Sequence, residues 1–319
     1  MEISWGLFFG MIVASAAPIV IAGLGETLTE KSGVINLSLD GTILLGAMSG
    51  FVIACKTGST AAGILGAGLA GALVAALLGL LCLLWKAPQV AVGFVLTLTC
   101  RDLAYFLGNP FSRIAGPQLD TISLPVLSKL DFIGPAFFHH NIMTYASIVL
   151  IPAVWIYLYK TRAGLILRAA GENPEACRAR GYKVLRIRFF YLVLGGLLAG
   201  MAGAMFSLGI KPGWGRPQGS EGIGWIVLAL VIFGGWNPLR VALGAYIFAT
   251  LQALSSIVQN IWTSVPAQLI QVAPFPLMIL TLVFINRPTK PRLREPTFRF
   301  LELLKARPPA ALGKAFSEH

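Results

Sequence analysis

The chain has 319 residues, of which 56% are hydrophobic and only 12% are charged, and its formal net charge is +12. Soluble domains carry about 25% charged residues, so this composition excludes a soluble globular domain and indicates an all-α polytopic membrane protein. The positive charge would suggest a nucleic-acid partner in a soluble chain, but in a membrane protein it marks cytoplasmic loops, so we expect contact with lipid and not with nucleic acid.

The apolar segments predict about nine transmembrane helices, within a range of about eight to ten. The predicted spans are residues 5–25, 34–55, 60–85, 89–107, 141–159, 186–209, 221–235, 240–258 and 265–286. The first is interpreted as a retained span because Glu2 is the only charge before it, unlike the basic start of a signal peptide. The seventh is too short to cross alone, so it is either half-buried in protein or extended by the preceding glycine-rich segment.

The distribution of basic residues predicts the orientation of these spans. Placing the N-terminus outside and the C-terminus in the cytoplasm puts most Lys and Arg residues inside. Residues 1–286 then form the transmembrane domain and residues 287–319 a basic cytoplasmic tail, which we interpret as solvated near anionic lipid. Residues 108–140 form a long outer loop. Residues 33–41 and 219–224 are both glycine-studded helix starts that run in opposite directions, which suggests an inverted repeat.

One polar segment, residues 164–182, stands between two long apolar spans, and we predict a short capped helix there on the cytoplasmic side. Asn173 suits the N-cap, Pro174 the first turn, Glu175 the positive end of the helix dipole and Gly181 the stop. Such a helix has little to bury, which favours a docking site for a soluble partner. The alternative from the residues alone is an ordinary connection between spans.

Three motifs then suggest a family. Residues 168–176, R-A-A-G-E-N-P-E-A, followed by R-G-Y at 180–182, resemble the coupling segment of ABC importer permeases. Residues 25–41 resemble the signature of the nucleoside-type branch, and residues 231–238, V-I-F-G-G-W-N-P, resemble its second-half motif. The resemblance spans about residues 25–286 and indicates the ribose, simple-sugar and nucleoside permeases, with a nucleoside importer as the leading hypothesis.

This resemblance implies partners and a location in the bacterial inner membrane. It implies an ABC ATPase subunit that uses ATP and Mg²⁺ and an extracytoplasmic binding protein that docks near residues 108–140. It also implies a second homologous permease, which we expect to form a heterodimer with this chain; a homodimer is the alternative. It assigns ATPase coupling to Arg168, Gly171, Glu172, Asn173, Pro174, Glu175, Ala176, Arg178 and Gly181. No G-x-x-x-x-G-K-[ST] motif occurs in the chain, so we expect no ATP hydrolysis and no bound cofactor in this subunit.

Polar residues within the spans are the candidates for the substrate path. They are Asn36, Ser38, Asp40, Thr97, Gln252 and Ser256, with Phe94 as an aromatic neighbour. Asp40 either holds a helix break or a loop amide in place or lines the path. It stands where the family more often has Glu, and Thr97 replaces the family's Asn. Gln252 and Ser256 share a helical face that either lines the path or joins helices.

The same residues are compatible with several alternatives. Ribose or another simple sugar is the alternative substrate, because all these molecules are neutral polyols. An ion-coupled secondary transporter is the rival of another class, but only Asp40 and Asp102 are expected at membrane depth. A membrane enzyme would need converging nucleophiles or metal ligands, and no metal site is predicted from the spacing of the four cysteines and three histidines. We interpret the glycines at 195, 196, 200 and 203 as a close helix contact.

Overall fold

The computed structural model describes residues 5–123, 133–261, 276, 280, 308–314 and 316, and these form a mainly helical protein. The helices are α1 (Trp5–Lys31), α2 (Leu39–Thr57), α3 (Thr60–Gly79), α4 (Gln89–Gly108), α5 (Ile133–Phe137), α6 (Ile142–Lys160), α7 (Arg162–Glu172), α8 (Pro174–Ala179), α9 (Val184–Met205), α10 (Ile223–Phe233) and α11 (Pro238–Ile261). Helices α3 and α9 continue through π-helical turns, Leu80–Leu84 and Phe206–Ile210, and α4 continues through a 3-10 turn, Asn109–Phe111.

Within the described part of the chain, six helical segments are long and apolar enough to cross a membrane, and they coincide with the first six predicted spans. These segments are Trp5–Lys31, Leu39–Thr57, Thr60–Leu84, Gln89–Phe111, Ile142–Lys160 and Val184–Ile210. Helix α10 has only 11 residues, or about 16 Å of length, and most of its side chains are buried, which matches the half-buried alternative for the seventh span. Helix α11 covers the eighth. The ninth, 265–286, lies outside the described residues except at 276 and 280.

Helix α9 is at the centre of the bundle, where it packs against α1, α2 and α3. Its glycines allow this packing because they bring backbones into direct contact. A Cβ atom on Gly200 would overlap the carbonyl oxygen of Ala67, and one on Gly203 would overlap that of Ile43. Without a hydrophobic driving force between helices in lipid, such small residues permit the close van der Waals contact that holds a bundle together. The predicted close helix contact is therefore confirmed.

The long loop between α4 and α6 contains a small antiparallel pair of strands. Strand β1 (Thr121–Ser123) pairs with β2 (His139–Asn141), so that Ile122 lies opposite His140. The Asn141 side chain then caps α6 by accepting a hydrogen bond from the backbone N–H of Thr144 at 2.9 Å. This pairing holds Thr121–Ser123, in the middle of the loop, close to the start of α6.

Candidate functional site

The first polar cluster lies where the chain enters α2. Asn36 and Ser38 are fully buried, and Asn36 Oδ1 accepts hydrogen bonds from the Ser38 hydroxyl at 2.6 Å and the Ser38 backbone N–H at 3.1 Å. Asn36 Nδ2 is also buried, and it has no hydrogen-bond partner among the described residues. These contacts form a polar turn inside an apolar protein. Buried polar groups in such surroundings are usually hydrogen-bonded.

Helix α4 packs directly against this turn. The Thr97 hydroxyl donates a hydrogen bond to the carbonyl oxygen of Leu37 at 2.6 Å. Gly41 allows the approach, because a Cβ atom there would overlap the Thr97 carbonyl oxygen. The structure thus brings together Thr97 and the 36–41 segment, which are far apart in the sequence, and gives Thr97 a bond that tethers the two elements.

Asp40 joins the same turn to α10. Its side chain accepts a hydrogen bond at 2.9 Å from the backbone N–H of Gly224, and a Cβ atom on Gly224 would overlap the Asp40 backbone. Both residues lie in the first turns of their helices, so the N-terminal ends of α2 and α10 meet at Asp40. Asp40 therefore holds a backbone amide in place, whereas its role in lining the path stays a prediction. We call this contact the α2–α10 junction.

An aromatic pair is adjacent to the junction. The rings of Phe94 on α4 and Trp225 on α10 have centroids 6.3 Å apart, and the two residues are 50% and 40% exposed. Exposed rings of this kind can stack on a flat ligand. Trp225 was missed at the sequence level, although it directly follows the residues 219–224 proposed for the repeat.

The remaining path candidates lie on α11. Gln252 is half-buried there, whereas the side chain of Ser256 lies outside the described residues. Helix α11 packs along α1 and also contacts α6 and α10. The contacts that build the junction come from α2, α4 and α10, so Gln252 and Ser256 stay predictions.

The polar segment 164–182 forms two helices and not the single helix that we expected. Helix α7 ends at Glu172 and α8 begins at Pro174, because a proline disfavours the helical conformation in the residue before it, here Asn173. The predicted cap is confirmed: Asn173 Oδ1 accepts a hydrogen bond from the Ala176 N–H at 2.9 Å. Gly181, with φ +85°, ends the segment as predicted.

The candidate coupling residues divide into a buried group and an exposed group. Gly171 is buried, and a Cβ atom on it would overlap the Lys31 carbonyl oxygen. Arg168 is half-buried, with its guanidinium 5.1 Å from the Tyr159 ring centroid. Pro174 is half-buried too. The exposed group consists of Glu172, Asn173, Glu175, Ala176, Arg178 and Gly181.

Helix α8 is anchored through one buried side chain. Cys177 is 4% exposed and packs with Ala170 and Val184, and burial raises the pKa of its thiol. The remaining side chains of α8 are exposed or half-buried. Helix α8 therefore offers a polar surface while its position is set by α7 and α9.

Two carboxylates that were expected in a loop are buried in the structure. Helix α1 extends to Lys31, so Glu26 and Glu30 lie within it, 0% and 3% exposed. The Trp236 indole N–H donates a hydrogen bond to the Glu30 carboxylate. Asn36 is the polar neighbour of the Glu26 carboxylate, whose oxygens make no hydrogen bond of standard geometry with the described residues. Asp102, in contrast, is exposed on the surface of α4, and its depth in the membrane stays a prediction.

A concave surface with a volume of about 400 Å³ lies beside the loop that follows α9. Its lining includes three exposed cations, Arg113, Lys211 and Arg216, and no acidic side chain. The loop is held by Glu221, whose carboxylate accepts hydrogen bonds from the Tyr105 hydroxyl and from the Gln218 and Gly219 amides. Burial alone would raise the pKa of Glu221, but these bonds outweigh it and lower the pKa.

In the described part of the chain, no group of three or more His, Cys, Asp or Glu is arranged to hold a metal ion.

Comparison with known proteins provides independent evidence. Residues 8–284 match the family described as branched-chain amino acid transport system / permease component. TsgC13 of Haloferax volcanii, provisionally assigned as a glucose ABC transporter permease protein, is 36% identical over 76% of this chain and 74% of its own length. The nucleoside ABC transporter permease protein NupC of Lactococcus lactis is 29% identical, over 87% and 92%. The guanosine ABC transporter permease protein NupQ of Bacillus subtilis is 28% identical, over 87% and 91%. No solved structure matches the chain.

Proposed function

We propose that this chain, which belongs to the family of branched-chain amino acid transport system permease components, is the membrane permease of an ATP-driven nucleoside importer. The observation that carries the proposal is the nearly full-length similarity to NupC, a nucleoside permease. NupQ, a guanosine permease, is similar over a comparable length. The six apolar helices agree with a subunit that crosses the membrane several times.

In this proposal the chain crosses the bacterial inner membrane about nine times, with its N-terminus outside and its C-terminus in the cytoplasm. The distribution of Lys and Arg supports this orientation. The meeting of the α2 and α10 N-termini supports an inverted repeat, because segments that enter from opposite sides bring their helix starts together at the middle of the membrane.

The exposed surface of α8 is the proposed contact with the ATPase. ATP and Mg²⁺ bind to that partner, and this chain holds no cofactor of its own. Asn173, Glu175 and Arg178 are exposed on a helix whose only fully buried side chain is Cys177. Closure of the ATPase dimer would push α8 and switch the pore, formed with a second homologous permease, between outward and inward access.

The α2–α10 junction is the proposed wall of the substrate path. Asn36, Ser38 and Asp40 are buried and held by hydrogen bonds, so they fix the geometry of this wall, and a substrate contacts them only when the junction opens. The Phe94–Trp225 pair provides aromatic surface for a nucleobase. A few placed polar groups beside aromatic rings are the usual composition of a site for a small neutral ligand.

A simple sugar is the second candidate substrate, and the observation that favours it is the 36% identity to TsgC13. A sugar has hydroxyl groups that can form hydrogen bonds at the junction, but it has no flat aromatic base that could stack on Phe94 and Trp225. Replacement of Trp225 by Leu therefore discriminates: it should reduce nucleoside uptake by about tenfold, the loss of roughly one stacking contact, and leave sugar uptake unchanged.

The cationic concavity is the proposed contact for the extracytoplasmic binding protein. Arg113, Lys211 and Arg216 lie beside the predicted outer loop, and three exposed cations would attract an acidic surface. Charge reversal of Arg113 should weaken the association with the binding protein, and should weaken it less at high salt, where the attraction is already screened.

The experiment that tests the function is uptake by proteoliposomes that contain this permease, its ATPase, its partner permease and the binding protein. We expect ATP-dependent uptake of labelled nucleoside, competed by unlabelled nucleoside and not by ribose or glucose. Sugar uptake that nucleosides do not compete would support the sugar permease instead. The purified chain alone should show neither ATPase activity nor uptake.

Coupling is tested in the same system. Reversal of charge at Glu175 or introduction of a bulky side chain at Gly171 should uncouple ATP hydrolysis from uptake while membrane insertion continues. Arg162→Glu, an exposed charge reversal on α7, is the matched control, and its uptake per ATP should be normal. Normal coupling in the Glu175 variant would argue against contact between α8 and the ATPase.

One specific observation favours the ion-coupled alternative, namely the fully buried carboxylate of Glu26. Buried carboxylates in a membrane protein often serve ion coupling. Vesicles with an imposed proton or sodium gradient and no ATP discriminate the two mechanisms. Gradient-driven uptake that Glu26→Gln abolishes would establish ion coupling, whereas uptake that requires ATP supports the importer.

A further inference from the structure

The described residues near the C-terminus, 308–314 and 316, pack onto the protein, although we expected the tail to be solvated near lipid. The Ala311 N–H donates a hydrogen bond to the Gly171 carbonyl oxygen at 2.9 Å, and the Ala310 N–H donates to Glu172 Oε2 at 3.1 Å. On the other side, the Gly313 N–H donates to the Gly33 carbonyl oxygen at 3.0 Å. The segment thus bridges the end of α7 and the turn between α1 and α2.

Arg188 provides a second anchor for this segment. It is the largest fully buried side chain in the described part of the protein, and its guanidinium donates hydrogen bonds to the carbonyl oxygens of Ala170 at 3.2 Å and Lys314 at 3.1 Å. A buried cation requires such partners, and a cation near the carbonyl end of α7 is also favoured by the helix dipole. Loss of the Lys314 carbonyl would leave Arg188 with fewer acceptors in an apolar setting.

Apolar contacts complete the attachment. Leu312 packs against Val231, Trp236 and Val241 at the turn between α10 and α11. Phe316 packs against the cluster that contains Cys177, and its ring lies 6.0 Å from the Arg188 guanidinium. The same short segment therefore contacts α7, α8, α9, the α1–α2 turn and the α10–α11 turn.

We propose that residues 308–314 and 316 form a C-terminal clamp that holds α7 and α8 against the turn between α1 and α2. The clamp makes these elements move as one body, so that a push on α8 reaches the turn that leads into Asn36, Ser38 and Asp40. Arg188 acts as a positioning residue that holds both the clamp and the end of α7. The mechanical role rests on the proposed function, whereas the clamp itself does not.

The rate at which Cys177 is labelled tests the clamp without a transport assay. In a chain whose Cys55, Cys82 and Cys100 are replaced by Ala, a membrane-impermeant maleimide should label Cys177 slowly, because its side chain is 4% exposed in the cluster against which Phe316 packs. Removal of residues 308–319, or Phe316→Ala within the full chain, should increase the labelling rate by about tenfold as local opening becomes easier. Removal of residues 317–319 alone, the matched control, should leave the rate unchanged.

An equal labelling rate with and without residues 308–319 would overturn the clamp. Should the truncated chain fail to accumulate in the membrane, Phe316→Ala and Leu312→Ala, which keep the chain length, provide the same comparison. Each variant is first checked for a single symmetric peak in size-exclusion chromatography, so that faster labelling reports local opening of a folded protein.

The mechanical role is measured in the complete reconstituted importer. Removal of residues 308–319 should lower nucleoside uptake per ATP hydrolysed by about tenfold while ATP hydrolysis continues, because α8 then moves without the turn. Uptake per ATP equal to that of the full chain would overturn the mechanical role. If the proposed function is wrong, the unaltered chain transports no nucleoside, yet the difference in Cys177 labelling persists, so the two failures are distinguishable.

Discussion

The carboxylate of Asp40, in the first turn of α2, accepts a hydrogen bond at 2.9 Å from the backbone amide of Gly224, in the first turn of α10. The N-terminal ends of two helices therefore meet at one acidic side chain. Glycine at 224 is required for this contact, because a Cβ atom would overlap the Asp40 backbone. The two helix starts are joined at this contact.

Removal of the Asp40 acceptor should destabilise the protein. Asp40→Ala should lower the free energy of unfolding by about 1–3 kcal/mol because the Gly224 N–H loses its partner, and Asp40→Asn, which keeps an oxygen, should lower it less. Thermal unfolding in detergent measures the difference. Asp102→Ala, an exposed acidic residue on α4, is the control and should change stability by less than about 0.5 kcal/mol. Equal stability of the two alanine variants would contradict the assigned bond.

The contact between α7 and the end of α1 should not tolerate even one added methyl group. Gly171→Ala places a Cβ atom against the Lys31 carbonyl oxygen, so we expect a loss of about 1–3 kcal/mol in the free energy of unfolding. Ala163→Leu, on the exposed surface of the same helix, should be nearly neutral. The measurement is the thermal unfolding midpoint of each variant, and a neutral Gly171→Ala would show that α7 does not pack on α1 as described.

The glycine contact of α9 should respond in the same way. Gly200→Ala would push α9 away from α3 at the Ala67 carbonyl, with an expected loss of about 1–3 kcal/mol. Gly209→Ala, at the end of the same segment, has its nearest neighbour at 3.4 Å and serves as the control. Comparable unfolding midpoints for the two variants would argue against close packing as the reason for glycine at 200.

The Glu221 contacts predict a specific pH dependence. Because the pKa of Glu221 in the folded protein lies below its usual value of 4.5, the stability that it contributes is present above pH 4.5. That stability is lost as the pH falls through the folded pKa, since the unfolded state then binds the proton more readily. Glu221→Gln should remove this part of the acid dependence. Unfolding midpoints measured between about pH 7 and pH 3 should therefore converge for the two proteins at the acid end.

Local features were predicted well from the sequence. The cap at Asn173, the start at Pro174 and the stop at Gly181 depend on residues within a few positions of each other, and the structure has all three. The division of the segment into α7 and α8 follows from the same local chemistry, because Pro174 constrains the residue before it. The half-length seventh segment was also apparent from its number of apolar residues.

Contacts between distant parts of the chain were not predictable in this way. Glu26 and Glu30 were expected in a loop, because two acidic residues after an apolar run ordinarily mark the end of a span. Their burial depends on the neighbours that surround the end of α1, including Trp236, far along the chain. Likewise, the attachment of residues 308–314 and 316 depends on acceptors from Gly33, Gly171 and the buried Arg188.

The sequence by itself determined that this is a helical membrane protein, which segments are apolar enough to cross, where the short helix α8 begins and ends, and which motifs relate it to importer permeases. These properties depend on hydrophobicity and on hydrogen bonds between near neighbours. Only the tertiary structure decided that Asp40 holds Gly224, that Gly171 contacts the end of α1 and that residues 308–314 attach to Gly33, Gly171 and Arg188. Those contacts form only when the helices pack closely and bring together groups that are far apart in the sequence. Separation along the chain does not indicate how close two groups lie in the folded protein.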